Sequence, residues 1–431
     1  MKKVMLEQTM KLKLHLCLAL VLSGGLFCGS AASLNAATQL HVTSSFPGGS
    51  ARVLSIGQTN NYVRITPAGD PNRGWPCWWY LRLDGVDTNQ TVILEVVANE
   101  ATVPGDNPGQ TRKLSADWSL PAQAAFSTDG TTWEHTAQGD RHGNRSVYRI
   151  STSSPTLWLA WGPPFTLKDA NQLIEKVCNA SPDARSFVLA RTREGRPVPG
   201  VRIAQVGSQR SSVWIQARQH AWECGSSWVA RGFLEWLVSN DPAAESLRQK
   251  ADIVVIPIVD VDSVERGQGG KQQQPHDQDE DWGPAAYLPE VRAGMEKLSA
   301  LAKADRLDLF LDLHNPGAGR HSIMFYIPPV PLLLPERVTN EDNFLNIVRE
   351  QMTGPIPYVG DIGPCGTTYD PAVDKSVDAW VAAQSRPHVV SLTLETPWNH
   401  SASTPAGYIK TGEQMGQCID LYLRAPIKGS P

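Results

Sequence analysis

His220 and Glu223 stand three residues apart in Arg218-Gln219-His220-Ala221-Trp222-Glu223, directly after the apolar run Val213–Ala217. At that spacing an imidazole and a carboxylate can reach one ion. His314 follows a second apolar run, Leu307–Leu313, and Glu395 ends a third, Val389–Leu394. Two His and one carboxylate suit zinc and leave it an open position for water. Such a water becomes acidic near neutral pH. A nearby carboxylate must then take its proton and pass it to the leaving group. Glu395 suits that task, because a carboxyl ending a buried strand should have its pKa raised by burial. With ten His in the chain, each of these residues alone is as readily an ordinary core or surface side chain. Their joint position at three strand ends carries the reading, since open α/β sheets bind ligands beyond their C-terminal strand edge.

The elements that must position them begin near residue 166. Val213–Ala217, Ile253–Val259, Leu307–Leu313 and Val389–Leu394 are apolar almost without interruption, as strands covered on both faces are. Helical stretches alternate with them at Ser226–Leu237, Pro289–Ala304, Asn343–Met352, Ser376–Gln384 and about 404–423. This predicts an α/β/α domain with a mixed central sheet over 166–425. Residues 38–165 read differently. Candidate strands Ala51–Ile56, Tyr62–Thr66, Trp78–Asp84, Val92–Val97, Ser146–Ile150 and Leu157–Trp161 are separated by Gly- and Pro-rich turns, the pattern of an all-β sandwich.

Residues 1–37 read as a signal peptide. Lys2, Lys3, Lys11 and Lys13 precede an apolar stretch, Leu14 to Phe27, and Ser30-Ala31-Ala32 offers small residues for cleavage. Export to the periplasm or the extracellular space is therefore expected, with no membrane span left after cleavage. Without its four Lys and one Glu, the remainder carries three more net negative charges than the whole chain's −4. An acidic chain without a basic run argues against a nucleic-acid partner. Five Cys lie outside the leader and none forms a CxxC pair, so they do not spell a zinc ribbon. Fourteen Trp is a high count that packing or an apolar binding surface would explain.

The HxxE segment at His220 and Glu223 resembles the zinc motif of the carboxypeptidase A superfamily. Leu311-Asp312-Leu313-His314 is similar to the strand that gives that family its third ligand, and Leu392-Thr393-Leu394-Glu395-Thr396 to the one carrying its catalytic Glu. Phe46-Pro47-Gly48-Gly49, the Trp-rich strand at Trp78–Tyr80, and Glu194-Gly195-Arg196-Pro197-Val198-Pro199 resemble the sandwich and junction of the cytosolic-type carboxypeptidase branch. The resemblance covers about 40 to 425. It implies one zinc per chain, peptide substrates, Tyr369 near the scissile bond, and a cation such as Arg218 at the oxyanion.

The family grips the substrate's terminal carboxylate with Asn-Arg and an upstream Arg. Here Asp279 and Glu280 stand in place of Asn-Arg, and Lys271 in place of the upstream Arg. Two carboxylates at that grip imply altered specificity, with Lys271, Arg266 and Arg320 as the cations available for a carboxylate. A zinc-dependent carboxypeptidase is the first expectation. A zinc amidase or esterase of non-standard specificity and a non-catalytic glycan- or peptide-binding protein are the alternatives.

Overall fold

The computed structural model describes residues 39–69, 74–104, 110–205, 211–365 and 376–427. The candidate signal peptide and Tyr369 lie outside the described residues. Four strands, Ser211–Ala217, Ala251–Ile256, Leu307–His314 and Val390–Glu395, are buried almost end to end. Their continuous apolar sequence requires cover on both faces. They form the centre of an eight-stranded mixed sheet. Its spatial order is Ala184–Arg191, Pro197–Ile203, Ala251–Ile256, Ser211–Ala217, Leu307–His314, Val390–Glu395, Ile323–Ile327 and Tyr358–Pro364. The four central strands run parallel, with antiparallel neighbours on either side of them. In this register His314 sits directly beside Glu395.

The Ile253–Val259 run does not continue as a strand to its end. The strand stops at Ile256, because Pro257 has no N–H to give the ladder. Asp260 then accepts from the Ser263 N–H and caps a short helix, Val261–Arg266. The helix expected over Asn343–Met352 begins earlier, at Pro335, and runs to Gln351. Pro at the first helical position is favourable there, since its missing N–H would be unsatisfied anyway. Helices Cys224–Leu237 and Pro405–Tyr422 cross closely. A Cβ on Gly232 would come within 2.1 Å of the Ile409 carbonyl, and one on Gly412 within 2.0 Å of the Val229 carbonyl. Only Gly permits that approach.

Residues before 166 form two five-stranded sheets and a small two-stranded one. Trp79, Leu81, Leu83, Val63, Ile65, Leu94 and Leu159 fill the space between the large pair. The Trp residues join this sandwich to the α/β region. Trp161 lies 5.3 Å from Trp222 and 4.3 Å from Trp398, and Trp118 bridges Trp75 at 4.7 Å and Trp222 at 5.4 Å, centroid to centroid. Such aromatic contacts add to area burial. Cys77, Cys178, Cys224, Cys365 and Cys418 are free thiols. Among the described residues no helix is long and apolar enough to cross a membrane.

Candidate active site

The first ligand loop starts where Ser211–Ala217 ends. Arg218 takes φ +67°, a left-handed conformation that non-Gly residues rarely adopt. Its guanidinium holds the turn: Nε donates to the Ala221 carbonyl at 2.7 Å, and Nη1 to the Phe165 carbonyl at 3.1 Å and Ser227 Oγ at 3.3 Å. The resemblance put Arg218 at the oxyanion. The structure corrects this, because the guanidinium is buried, engaged with loop oxygens, and does not line the cavity beside His220. Arg218 shapes the loop that brings His220 and Glu223 to one side.

His220, Glu223 and His314 converge, with ligand atoms all within 4.8 Å of one another. Glu223 Oε1 is 2.8 Å from Nδ1 of His220, and its Oε2 is 2.9 Å from Nδ1 of His314. Both imidazoles therefore present Nδ1 to the same point. Their Nε2 atoms face carboxylates: Asp277 at 3.5 Å from His220 and Asp312 at 2.7 Å from His314. Outer carboxylates of this kind fix the tautomer and orientation of metal-binding imidazoles. Burial and Lys271 oppose a charged His220, but Glu223 and Asp277 outweigh them and raise it to about 9. Burial likewise opposes an ionised Glu223, and the two imidazoles win, holding it well below the usual carboxylate range. The cluster is thus built around concentrated negative charge with two neutralisable imidazoles, and a divalent cation fits it.

Asn315 joins the ligand segments. Its N–H donates to Glu223 Oε2 at 3.3 Å, its Oδ1 accepts from the Ser226 N–H at 3.2 Å, and its Nδ2 donates to the Thr396 carbonyl at 2.5 Å. Neither Asn315 nor the partner role of Asp277 was read from the sequence. The signal for Asn315 was its place directly after His314. The signal for Asp277 was a carboxylate two residues before Asp279 on the segment already singled out.

Glu395 lines one cavity of about 300 Å³ together with His220, Glu223 and His314. Burial, then the charge of Glu223, raises Glu395 to about 7, against the pull of His314 and Lys271. Its Oε2 has no hydrogen-bond partner among the described residues. Lys271 also lines the cavity, with Nζ 3.4 Å from His220 Nε2. Two glycines let its loop pass between the sandwich and the ligand loop. A Cβ on Gly269 would meet the Trp75 carbonyl at 2.0 Å, and Gly270 has φ +81° with the Ala221 nitrogen at 2.5 Å from such an atom. The sandwich contributes Trp75 and Trp118 to the cavity wall.

Asp279 lines the cavity and accepts from Gln219 Nε2 at 3.3 Å. Glu280, expected beside it, is buried and does not line the cavity. Its N–H donates to Asp277 Oδ1 at 3.0 Å, and burial followed by the charge of Asp277 raises its carboxyl to about 8. Near neutral pH it is mostly an uncharged acid. Arg320, also expected at the substrate, is half-exposed, pairs with Asp361 at 3.6 Å, and lies outside the cavity lining. Arg266 pairs with Glu194 and lies outside it too.

Against this geometry, residues 170–284 match the zinc carboxypeptidase family model (Peptidase_M14). Over those residues the chain is similar to a zinc carboxypeptidase domain. The matched segment holds His220, Glu223, Lys271, Asp277 and Asp279, while His314 and Glu395 lie beyond it. An uncharacterized protein of Zymomonas mobilis is 24% identical over 298 residues, covering 68% of this chain and 72% of that one. Human cytosolic carboxypeptidase 1 is 24% identical over 320 residues, covering 66% of this chain. The match spans only 26% of that human protein. Among solved structures, a metallo-carboxypeptidase from Burkholderia cenocepacia superposes with TM-score 0.74 at 19% identity, over 90% of this chain and 99% of its own. One from Pseudomonas aeruginosa gives TM-score 0.73 at 16% identity, over 89% and 100%. These structures share the fold, sandwich included. On this carboxypeptidase-like fold, the candidate ligands His220, Glu223 and His314 and the buried Glu395 share one cavity.

Proposed function

We propose that the chain is a zinc metallocarboxypeptidase that binds one zinc through His220, Glu223 and His314 and hydrolyses a peptide bond with Glu395 as general base. The observation that carries this is the convergence of both Nδ1 atoms and the Glu223 carboxylate at one point, in a cavity that Glu395 also lines. When bound, zinc supplies the Lewis acidity that polarises the scissile carbonyl and activates water. Glu395, raised to about 7, is matched to proton transfer near neutral pH. It accepts the proton of the attacking water and returns it to the departing amine. Asp277 and Asp312 hold the imidazoles in register. Lys271 is the one non-histidine cation among the described lining residues, and it meets the carboxylate end of a substrate. Tyr369 is assigned beside the scissile bond on the strength of the resemblance alone.

A second reading, an amidase that does not require a free carboxylate, is favoured by Asp279 lining the cavity where the family has Asn. The separating experiment is a hydrolysis screen of peptides with free, amidated and isopeptide C-termini, with and without chelator. Chelator-sensitive cleavage of free-acid peptides supports the carboxypeptidase, and cleavage of amidated peptides alone supports the amidase. Turnover that ignores chelator sinks both. We also propose export, on the basic, apolar and small-residue order of residues 1–37. Recovery of intact Met1 on cytoplasmic protein would overturn it.

A further inference from the structure

A second cavity, of about 560 Å³, is large enough for a small organic molecule. It shares residues 271–279 with the catalytic cavity. Lys271 and Asp279 line the catalytic side, while Gln273, His276 and Gln278 line the other. The floor of the second cavity consists of buried polar groups, Asp260, Gln273, Gln278 and Glu290, and its mouth of the exposed Arg193, Gln274 and Tyr287. A hydrogen-bond chain crosses the floor. Gln273 Nε2 donates to Asp260 Oδ2 at 3.2 Å and to Gln278 Oε1 at 2.5 Å, and Gln278 Nε2 donates to Glu290 Oε1 at 3.0 Å. The chain stops there. Glu290 Oε2 has no hydrogen-bond partner among the described residues, although the residue is only 3% exposed.

Of the carboxylates around this cavity, two are already neutralised: Asp262 pairs with Arg196 at 2.7 Å, and Glu194 with Arg266. Asp260 and Glu290 form no ion pair among the described residues. Burial raises both carboxyls, and the charge of Asp262 adds to the effect in each case. Protonation does not settle the stranded oxygen, because a hydroxyl at Oε2 would lack an acceptor, and a buried polar group without a partner is costly. A positively charged donor entering the cavity satisfies it with a charge-assisted hydrogen bond. A bare metal ion does not suit the place: among the described residues, ligand atoms stand close enough for one only at His220, Glu223 and His314 and at Asp279, Asp312 and His314. At the mouth the Arg193 guanidinium lies 3.8 Å over the Tyr287 ring, where it repels a second cationic end. We infer that this cavity binds an organic monocation, an ammonium or guanidinium group on a neutral or anionic body, seated on Glu290 and Asp260, and that its occupancy stiffens the segment carrying Lys271, Asp277 and Asp279. The inference goes beyond the hydrolase reading and needs no turnover.

The test titrates the zinc-loaded full chain with ethylguanidinium or butylammonium chloride, with urea as the neutral counterpart and sodium chloride to match ionic strength. Calorimetry should show saturable, millimolar-range binding of at least one of the two cations and none of urea. Glu290→Gln keeps an acceptor for Gln278 and should weaken that binding by about tenfold or more, the loss of one hydrogen bond to a charged group. Asp279→Asn, on the catalytic side of the shared segment, should leave it unchanged. Amide hydrogen exchange over residues 271–281 should slow on saturation in the parent and not in Glu290→Gln. If Glu290→Gln fails to fold by circular dichroism, Asp260→Asn carries the same tests, since Asn also caps a helix. No saturable binding of either cation, binding indifferent to Glu290→Gln, or binding lost in Asp279→Asn overturns the site. Unchanged exchange at saturation overturns the stiffening. Absence of hydrolysis on every substrate would count against the hydrolase reading alone and leave this site standing.

Discussion

Nε2 of His220 lies 3.5 Å from Oδ2 of Asp277, on the loop that also carries Asp279. The carboxylate is fully buried, and although burial opposes its ionisation, the His220 charge holds it at about 2. It therefore stays anionic and faces Nε2 of His220, which leaves Nδ1 as the nitrogen turned toward Glu223 and the proposed metal. Asp277→Asn preserves shape and removes that charge. Zinc affinity should fall about 10- to 100-fold, read by competition with a chromophoric chelator. Unchanged affinity would mean that Asp277 only supports the loop.

His220→Ala and His314→Ala each remove one ligand. Metal analysis after dialysis should show zinc lost from both, with the near-ultraviolet signal of the sandwich Trp residues retained. Full occupancy in both variants would place the metal elsewhere.

Glu395→Gln should keep zinc and lose turnover by about 10²- to 10⁴-fold. Gln has nearly the same shape but cannot accept the proton of water near neutral pH. Near-normal rates would make another group the base.

The candidate ligands were legible because they follow the long buried strands. Continuous apolar runs such as Leu307–Leu313 announce themselves, and His314 at the end of one is conspicuous. The edge strands of the eight-stranded sheet were not legible. Tyr358–Pro364 contains Gly360 and Gly363 and has exposed side chains at Val359 and Ile362, so it lacks both the apolar run and clean alternation. Arg218 looked like a catalytic cation because sequence gives charge without hydrogen bonds; three acceptors decide its role in the structure.

Glu341 offers a test of stability away from the metal. It is buried on helix Pro335–Gln351, and burial raises it from 4.5 to about 8 despite Arg337. The folded state thus binds the proton more tightly than the unfolded one. Its contribution is fully present below pH 4.5 and is lost as pH rises toward 8. Glu341→Gln should match the parent at pH 4 and exceed it at pH 8.5 by on the order of a few kcal/mol, measured by urea unfolding. Asp260 and Glu280, also raised by burial, lower stability over the same range in both proteins, so the difference between the two curves is the readout. Parallel curves would place the Glu341 carboxyl in contact with water.

Asp279 is the position at which the departure from the family can be reversed. Its side chain lines the cavity and Glu280 does not, so the effect should follow residue 279. A carboxylate about 4 Å from an incoming carboxylate opposes it by up to ~4 kcal/mol at an effective dielectric of ~20, and solvent at this half-buried side chain reduces that figure. Asp279→Asn removes the repulsion and keeps an acceptor for Gln219. KM for free-acid dipeptides ending in Leu or Phe should fall several-fold, with kcat little changed, because the gain lies in binding common to ground and transition states. Glu280→Arg alone should not reproduce it. Burying a guanidinium where a largely neutral acid now sits should lower stability by about 3 kcal/mol or more. If Glu280→Arg, and not Asp279→Asn, improved those substrates, the buried acid would be the residue that reads the carboxylate, and Asp279 would belong to the loop.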